Sequence, residues 1–397
     1  MATLPAVKQF SDRVNRIEIS ATMAVVAEAA KLKATGADLV EFGAGEPHFS
    51  TPQHIKDAAI AAINNDCTRY TAVGGIQELR MAITRRHAVD FGSMYQPSEC
   101  MVSTGGKLAL FNAIQVLVDH GDEVIVPVPY WVSFKDIIEY AGGKCAFVET
   151  DEADNFRLTP EMIERQITPR TRAIIINTPN NPSGAVLNPA DFQAILRLAH
   201  QRGIYVIADE CYVYLNFTAR RFSAGCVTDA KQHLVIIGSL SKTYAMTGWR
   251  LGYALAPAPI INAMTKLQSQ STSSTAHMVQ MAALAAVSGP QDCVEKMKKD
   301  YILLRDLTLG HLSLIPGVTC VKPEGAFYVY PNVSAYFGKS GITSAGEVAH
   351  RLLHEAHVVT VPGEAFGTRD HIRLSYATSA TEIERGLERM QEWFGKL

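Results

Sequence analysis

The chain has 397 residues, 47% of them hydrophobic and 19% charged, with a formal net charge of −2. This is ordinary globular composition, long enough for two or three domains or one large core with a satellite. The charge gives no basic field for nucleic acid, and no apolar run approaches the roughly 20 residues that a membrane span needs.

Seven scattered cysteines form no Cys-x-x-Cys pair, and residues 1–8 lack a signal-peptide core. Free thiols and a cytoplasmic location are therefore expected. Residues 24–32 read as a helix, with Ser20 or Thr22 as its N-cap. A short strand at 38–42 ends in Gly43-Ala44-Gly45-Glu46-Pro47, where glycine lets backbone approach a ligand. Helices follow at 52–64 and 76–89, separated by a loop that carries Tyr70.

Residues 100–103 form a strand, followed by Thr104-Gly105-Gly106-Lys107 and an apolar helix at 108–118. A strand, a glycine pair and a helix start make an anion site, because free N–H groups and the positive end of the helix dipole face the ligand. The next strand, 124–126, leads to Trp131. Another, 172–177, runs into the turn that holds Asn181. Strand 204–208 ends at Asp209, with Tyr212 just beyond. A carboxylate at the end of a buried strand is costly unless paired, which favours a role for Asp209.

Strand 234–238 ends in Ser239-Leu240-Ser241-Lys242, and Arg250 follows eight positions after Lys242. Ligands of open α/β sheets sit beyond the carboxyl ends of such strands. A nucleophilic lysine wants a desolvated site, and a phosphate wants hydroxyls, backbone N–H groups and a guanidinium. This stretch offers both.

Strands and helices alternate from about 100 to 256, which predicts a doubly wound, mostly parallel sheet in the α/β class. After a polar stretch at 268–275, helix covers 277–312 with a break near Gly289. Short strands at 326–330 and 358–361 alternate with amphipathic helices, the last at 382–394, and predict a smaller α+β domain. His350, His354 and His357 fall on one helical face, but no carboxylate or cysteine pattern accompanies them. They are read as a solvated face, and no metal is expected.

The series Gly105-Gly106-Lys107, Asn181, Asp209-x-x-Tyr212, Lys242, Arg250 and Arg373-Leu374-Ser375-Tyr376-Ala377 resembles the class I aminotransferases of fold type I. Within them it is most similar to the bacterial aspartate aminotransferase branch with Gly-Gly-Lys. The resemblance implies a large pyridoxal phosphate-binding domain at 50–289 and a small domain from 1–49 and 290–397. It implies amino acid and 2-oxo acid substrates, with ping-pong transfer from L-aspartate to 2-oxoglutarate.

By the same resemblance, Lys242 is the Schiff-base lysine and proton shuttle, and Asp209 pairs with the pyridinium nitrogen. Asn181 and Tyr212 bond the ring oxygen, and Trp131 stacks on the ring. Gly105, Gly106, Ser239, Ser241 and Arg250 hold the phosphate, with Lys107 beside them. Tyr70 reaches the phosphate of a neighbouring subunit, so a homodimer is implied. Arg373 and Gly45 take the α-carboxylate. Lys107 helps read the distal carboxylate, with hydroxyls of Ser20, Thr22 and Ser271 nearby.

One departure is Glu18-Ile19, where the branch usually has Lys-Pro; it weighs against bulky dicarboxylates such as prephenate. The rival readings are an aromatic, broad-specificity or prephenate aminotransferase, and a lyase acting at Cβ or Cγ. A cofactor-binding regulator would need a DNA-binding domain, for which the stretch before Gly45 leaves no room.

Overall fold

The computed structural model describes residues 10–19, 21–219 and 221–397. Among them the strands, in chain order, are β1 (Val40–Glu41), β2 (Cys100–Ser103), β3 (Glu123–Val128), β4 (Lys144–Glu149), β5 (Thr171–Asn177) and β6 (Tyr205–Asp209). They continue as β7 (Leu234–Ser239), β8 (Gly252–Leu255), β9 (Tyr328–Val329), β10 (Val358–Val359), β11 (Val361–Pro362) and β12 (Ile372–Ser375).

The main sheet has the order β2-β8-β7-β6-β5-β3-β4. Only β8 runs antiparallel to its neighbours. The central strands read as continuous apolar runs because both of their faces are buried. Ile174, Ile176, Val206, Ala208 and Ile236 point into one core, against helices Gln53–Asn64, Gln77–Phe91, Pro189–Gln201 and His277–Ser288. Ala173, Ile175, Ile207, Val235 and Ile237 point into the other, against Gly106–Leu117, Ser133–Ala141 and Ala258–Ser269. The period of two along each strand thus seats helices on both faces.

Register then places the site. Asn177 pairs with Asp209, Asp209 with Ile237, and both Ser103 and Ser239 with Gly252. The carboxyl ends of β2, β5, β6 and β7 therefore lie side by side at one edge of the sheet.

A third core joins Phe42, Met297, Tyr301, Tyr328, Leu374 and Trp393, and it reaches Tyr212 and Ala245 of the main-sheet loops. Two small sheets serve it: β1 pairs with β10, and β9, β12 and β11 form the other.

Several sequence expectations change. The first long helix is Ala21–Ala34, so Thr22 is its second residue and not its cap; Ser20 lies outside the described residues. Strand β1 is only two residues long, because Asp38 instead takes ion pairs from Arg385 and Arg389. The helix after β2 begins at Gly106 and includes Lys107 in its first turn. Gln268 is not loop but the buried penultimate residue of its helix, where its amide donates to the Val73 and Val102 carbonyls.

The histidine face is also corrected. Helix Ala345–Glu355 ends before His357, which turns away at φ 58°. A carboxylate does join His354: Glu28 arrives from helix Ala21–Ala34.

Candidate active site

Lys242 stands in the short helix Leu240–Thr243, directly after β7. Ser239 caps that helix, its hydroxyl accepting the Ser241 N–H at 3.2 Å. The lysine Nζ donates to the Gly45 carbonyl. Burial strips the ammonium of water and lowers its pKa to about 8, with Cys211 and Glu46 opposing. A lysine in that range supplies free amine near neutrality, as a nucleophile or base requires.

Asp209 closes β6 and is 5% exposed. Its Oδ1 accepts the Cys211 N–H at 3.2 Å. Burial dominates and raises its pKa to about 6, with Glu210 adding to the rise. A cationic N–H set against this carboxylate would restore its charge.

On the neighbouring loop the Asn181 N–H donates to Asn177 Oδ1 at 2.8 Å. The Tyr212 and Tyr328 hydroxyls share a hydrogen bond of 2.8 Å. Burial, together with Tyr328, pushes the Tyr212 phenol well up.

The anion cradle forms where β2, β7 and β8 meet. Gly105, at φ +87°, starts the helix Gly106–Leu117. A Cβ on Gly105 would lie 2.4 Å from Arg250 Nη2, so glycine is what lets the guanidinium approach. Arg250 itself sits at φ 56°, rare for a residue with a side chain, and its Nη1 is anchored on the Thr247 carbonyl at 2.8 Å. Free helix N–H groups, the Ser239 and Ser241 hydroxyls and a guanidinium converge there, a set that can hold a phosphate.

Arg373, on β12, is 2% exposed. Its Nη1 donates to Asn181 Oδ1 at 3.0 Å and its Nη2 to the Gly43 carbonyl at 2.8 Å. The rings of Tyr328 and Phe366 lie 4.6 and 5.0 Å from its guanidinium carbon. Its Nε has no hydrogen-bond partner, and no carboxylate pairs with it among the described residues. Burying a guanidinium without a counter-ion is costly, so the position favours an anionic ligand.

A cavity of about 270 Å³ joins these groups. Its walls carry Gly45, Gly106, Lys107, Trp131, Asn181, Asp209, Tyr212, Ser239, Ser241, Lys242, Arg250 and Arg373, together with Thr22. Lys107 Nζ lies 4.7 Å from the Trp131 ring centroid. Surrounding protein lowers its pKa, Arg250 adds to this, and Asp136 opposes it.

Two expected residues stand apart. Tyr70 is 93% exposed and outside the cavity of its own chain. The Ser271 hydroxyl donates to the Leu267 and Gln268 carbonyls, at the end of its helix. A larger groove of about 830 Å³, lined by Phe156, Arg157, Phe217 and Lys322 among others, contains neither Lys242 nor Arg250.

Sequence reading missed Asn177, Cys211 and Tyr328. Asn177 lines the cavity and positions Asn181; its signal was a polar residue closing an apolar strand. Tyr328 comes from a distant strand and carried no local signal.

The sequence pattern described as aminotransferase class I and II matches residues 37–390. The aspartate aminotransferase of Geobacillus stearothermophilus is 44% identical over 97% of this chain and 98% of that protein. The chain belongs to the class I and II aminotransferases. The aspartate/prephenate aminotransferase of Nitrosomonas europaea is 40% identical over 96% of this chain and 98% of its own. The aspartate aminotransferase of Thermus thermophilus, solved with maleate, superposes with a TM-score of 0.93 at 41% identity, covering 97% of this chain and all of that one (100%). Aminotransferase membership implies pyridoxal phosphate. The buried Asp209 carboxylate, the neutral-prone lysine and the anion cradle are chemically suited to its ring nitrogen, aldehyde and phosphate.

Proposed function

We propose that this aminotransferase moves the amino group of L-aspartate to 2-oxoglutarate by a ping-pong mechanism, with pyridoxal phosphate attached at Lys242. Bound, the cofactor supplies an electron sink for the bonds at the substrate α-carbon. Asp209 would keep the ring nitrogen protonated, Asn181 and Tyr212 would bond the ring oxygen, and Trp131 would stack on the ring. Gly105, Gly106, Ser239, Ser241 and Arg250 would hold the phosphate, with Lys107 beside them. Arg373 would bind the α-carboxylate with the backbone of Gly45, and Lys242 Nζ would accept the α-proton.

The observation that carries dicarboxylate specificity is a pair of cations in one cavity, Arg373 buried at one wall and Lys107 over Trp131. Two anionic ends of one short substrate fit two fixed cations. Maleate, present in the Thermus thermophilus structure, is itself a four-carbon dicarboxylate. Thr22, which lines the cavity, would offer a hydroxyl to the distal end, a role the resemblance also implies for Ser20.

Lys107→Ala tests this reading. A charged hydrogen bond contributes roughly 1.5–3 kcal/mol, so the preference for aspartate over phenylalanine in kcat/KM should fall about ten- to a hundredfold. Equal losses for acidic and neutral donors would remove the dicarboxylate assignment and leave the aminotransferase.

A prephenate or broad-specificity activity is the second reading, supported by the Nitrosomonas europaea relative. Against it, the Glu18 N–H donates to Asp136 Oδ1 at 3.3 Å, and Glu139, whose pKa burial raises, feels both Asp136 and Glu18 as further upward pushes. If this acidic corner borders the substrate entrance, as the resemblance implies for Glu18, its charge disfavours larger diacids. A lyase is distinguished by release of ammonia without a keto acid acceptor.

The proposal extends to a cytoplasmic homodimer in which Tyr70 completes the partner's site, and to a large unit at 50–289 beside a small unit from 1–49 and 290–397. The exposed Tyr70 supports the first, the free thiols the location, and a core centred on the small sheets the division.

A further inference from the structure

His350 and His354 lie one turn apart on helix Ala345–Glu355, with ring centroids 4.4 Å apart. Glu28 reaches them from helix Ala21–Ala34, its Oε1 lying 2.9 Å from His354 Nε2. One donor atom from each of the three residues falls within 4.8 Å of the others, the one such trio among the described residues. Helical spacing brings the two imidazoles together, and the packing of a second helix supplies the carboxylate.

That packing is thin. Ala29 sits against Leu353 and Val359, flanked by Val25 and Leu32, while Met23 and Val26 on the same helix stay exposed.

We propose that Glu28, His350 and His354 form a surface site for a borderline divalent cation of the Zn²⁺ class, which staples helix Ala21–Ala34 to helix Ala345–Glu355. Two imidazoles and one carboxylate match the nitrogen and oxygen preference of Zn²⁺, Co²⁺ or Ni²⁺, whereas Ca²⁺ and Mg²⁺ favour all-oxygen sets. Three protein ligands leave further positions to water. The donor atoms need only a small contraction, by rotation of side chains that are partly or fully exposed.

The staple acts on the active site through one rigid element. Thr22 and Met23, in the first turn of the same helix, line the catalytic cavity. Glu28 stands five residues further on, about 7.5 Å along the axis at the usual helical rise. A cation that fixes Glu28 against His350 and His354 therefore fixes the segment that lines the cavity. Its role is positional, and no ligand atom of the trio belongs to the catalytic machinery.

The test is a Zn²⁺ titration of the pyridoxal phosphate-loaded protein, in competition with a chromophoric chelator at neutral pH. The expected result is one ion per chain. Glu28→Gln, His350→Ala and His354→Ala should each weaken binding by at least about tenfold, since each removes a ligand. Co²⁺ distinguishes this site from the free cysteines: imidazole and carboxylate ligands give no thiolate charge-transfer band. Zn²⁺ should also slow tryptic cleavage after Lys31 and Lys33 in the wild type and not in Glu28→Gln/His354→Ala. The proposal is overturned if the wild type binds no ion, if the variants bind as tightly, or if the Co²⁺ spectrum shows thiolate.

Discussion

Two side chains set the chemistry at the residue scale, and burial sets both. Lys242→Ala should abolish turnover, and borohydride should fix the cofactor to Lys242 in the wild type; a reduced adduct on another lysine would contradict its role. Asp209→Asn should retain cofactor yet cut kcat by well over about tenfold, because an amide cannot stabilise the ring charge in a dry site. The pH response follows from the same burial. Lys242 is held near about 8 and must be neutral to attack, so cofactor loading of the apo protein should speed up as pH rises to about 8 and then level off. Asp209, raised to about 6 before the cofactor arrives, attracts the ring nitrogen only when charged, so loading of the apo protein should slow as pH falls below about 6. A flat loading profile across that range would contradict both assignments. Lys242 and Asp209 were readable in the sequence because each lies at or just beyond the carboxyl end of a buried strand. The bond from Arg373 to Asn181 was not, since those residues are 192 positions apart and only the packed fold joins them.

At the scale of elements, the anion cradle depends on close approach between β8 and the start of helix Gly106–Leu117. A Cβ on Gly252 would meet the Gly106 nitrogen at 2.2 Å, and backbone cannot yield as a side-chain tip can. Gly252→Ala should therefore push the helix start out of place, lower the denaturation midpoint by an amount equivalent to roughly 1–3 kcal/mol, and weaken cofactor phosphate binding. Unchanged stability and affinity, by denaturant titration and cofactor titration, would show that the cradle is not set by this contact. The central strands were legible because burial on both faces writes them as apolar runs. Edge strand β4 was harder to see: Lys144, Phe147 and Glu149 are exposed along it, so it lacks that run. Thr22 was misplaced as a cap for a related reason, since an N-cap hydroxyl and a first-turn hydroxyl look alike in sequence.

On the scale of the whole molecule, the proposed division into a large and a small unit rests in the sequence on strand–helix alternation that gives way to long helices after residue 256. Contacts between the N-terminal helix and the C-terminal part lay beyond local pattern; Glu28 and His354, 326 positions apart, are the clearest case. The proposed dimer has a direct consequence. Mixed Lys242→Ala and Tyr70→Ala chains would form hybrids with one intact site, so equal mixing and reassociation should recover about a quarter of wild-type activity if neither parent is active. No recovery would place Tyr70 outside the partner's site. The most direct test of the central claim is an amino-donor panel with 2-oxoglutarate on the purified, cofactor-loaded protein. Aspartate should exceed alanine and phenylalanine in kcat/KM by about ten- to a hundredfold or more, the size of a charged contact that only the dicarboxylic donors can make. A donor order led by neutral or aromatic amino acids would contradict it.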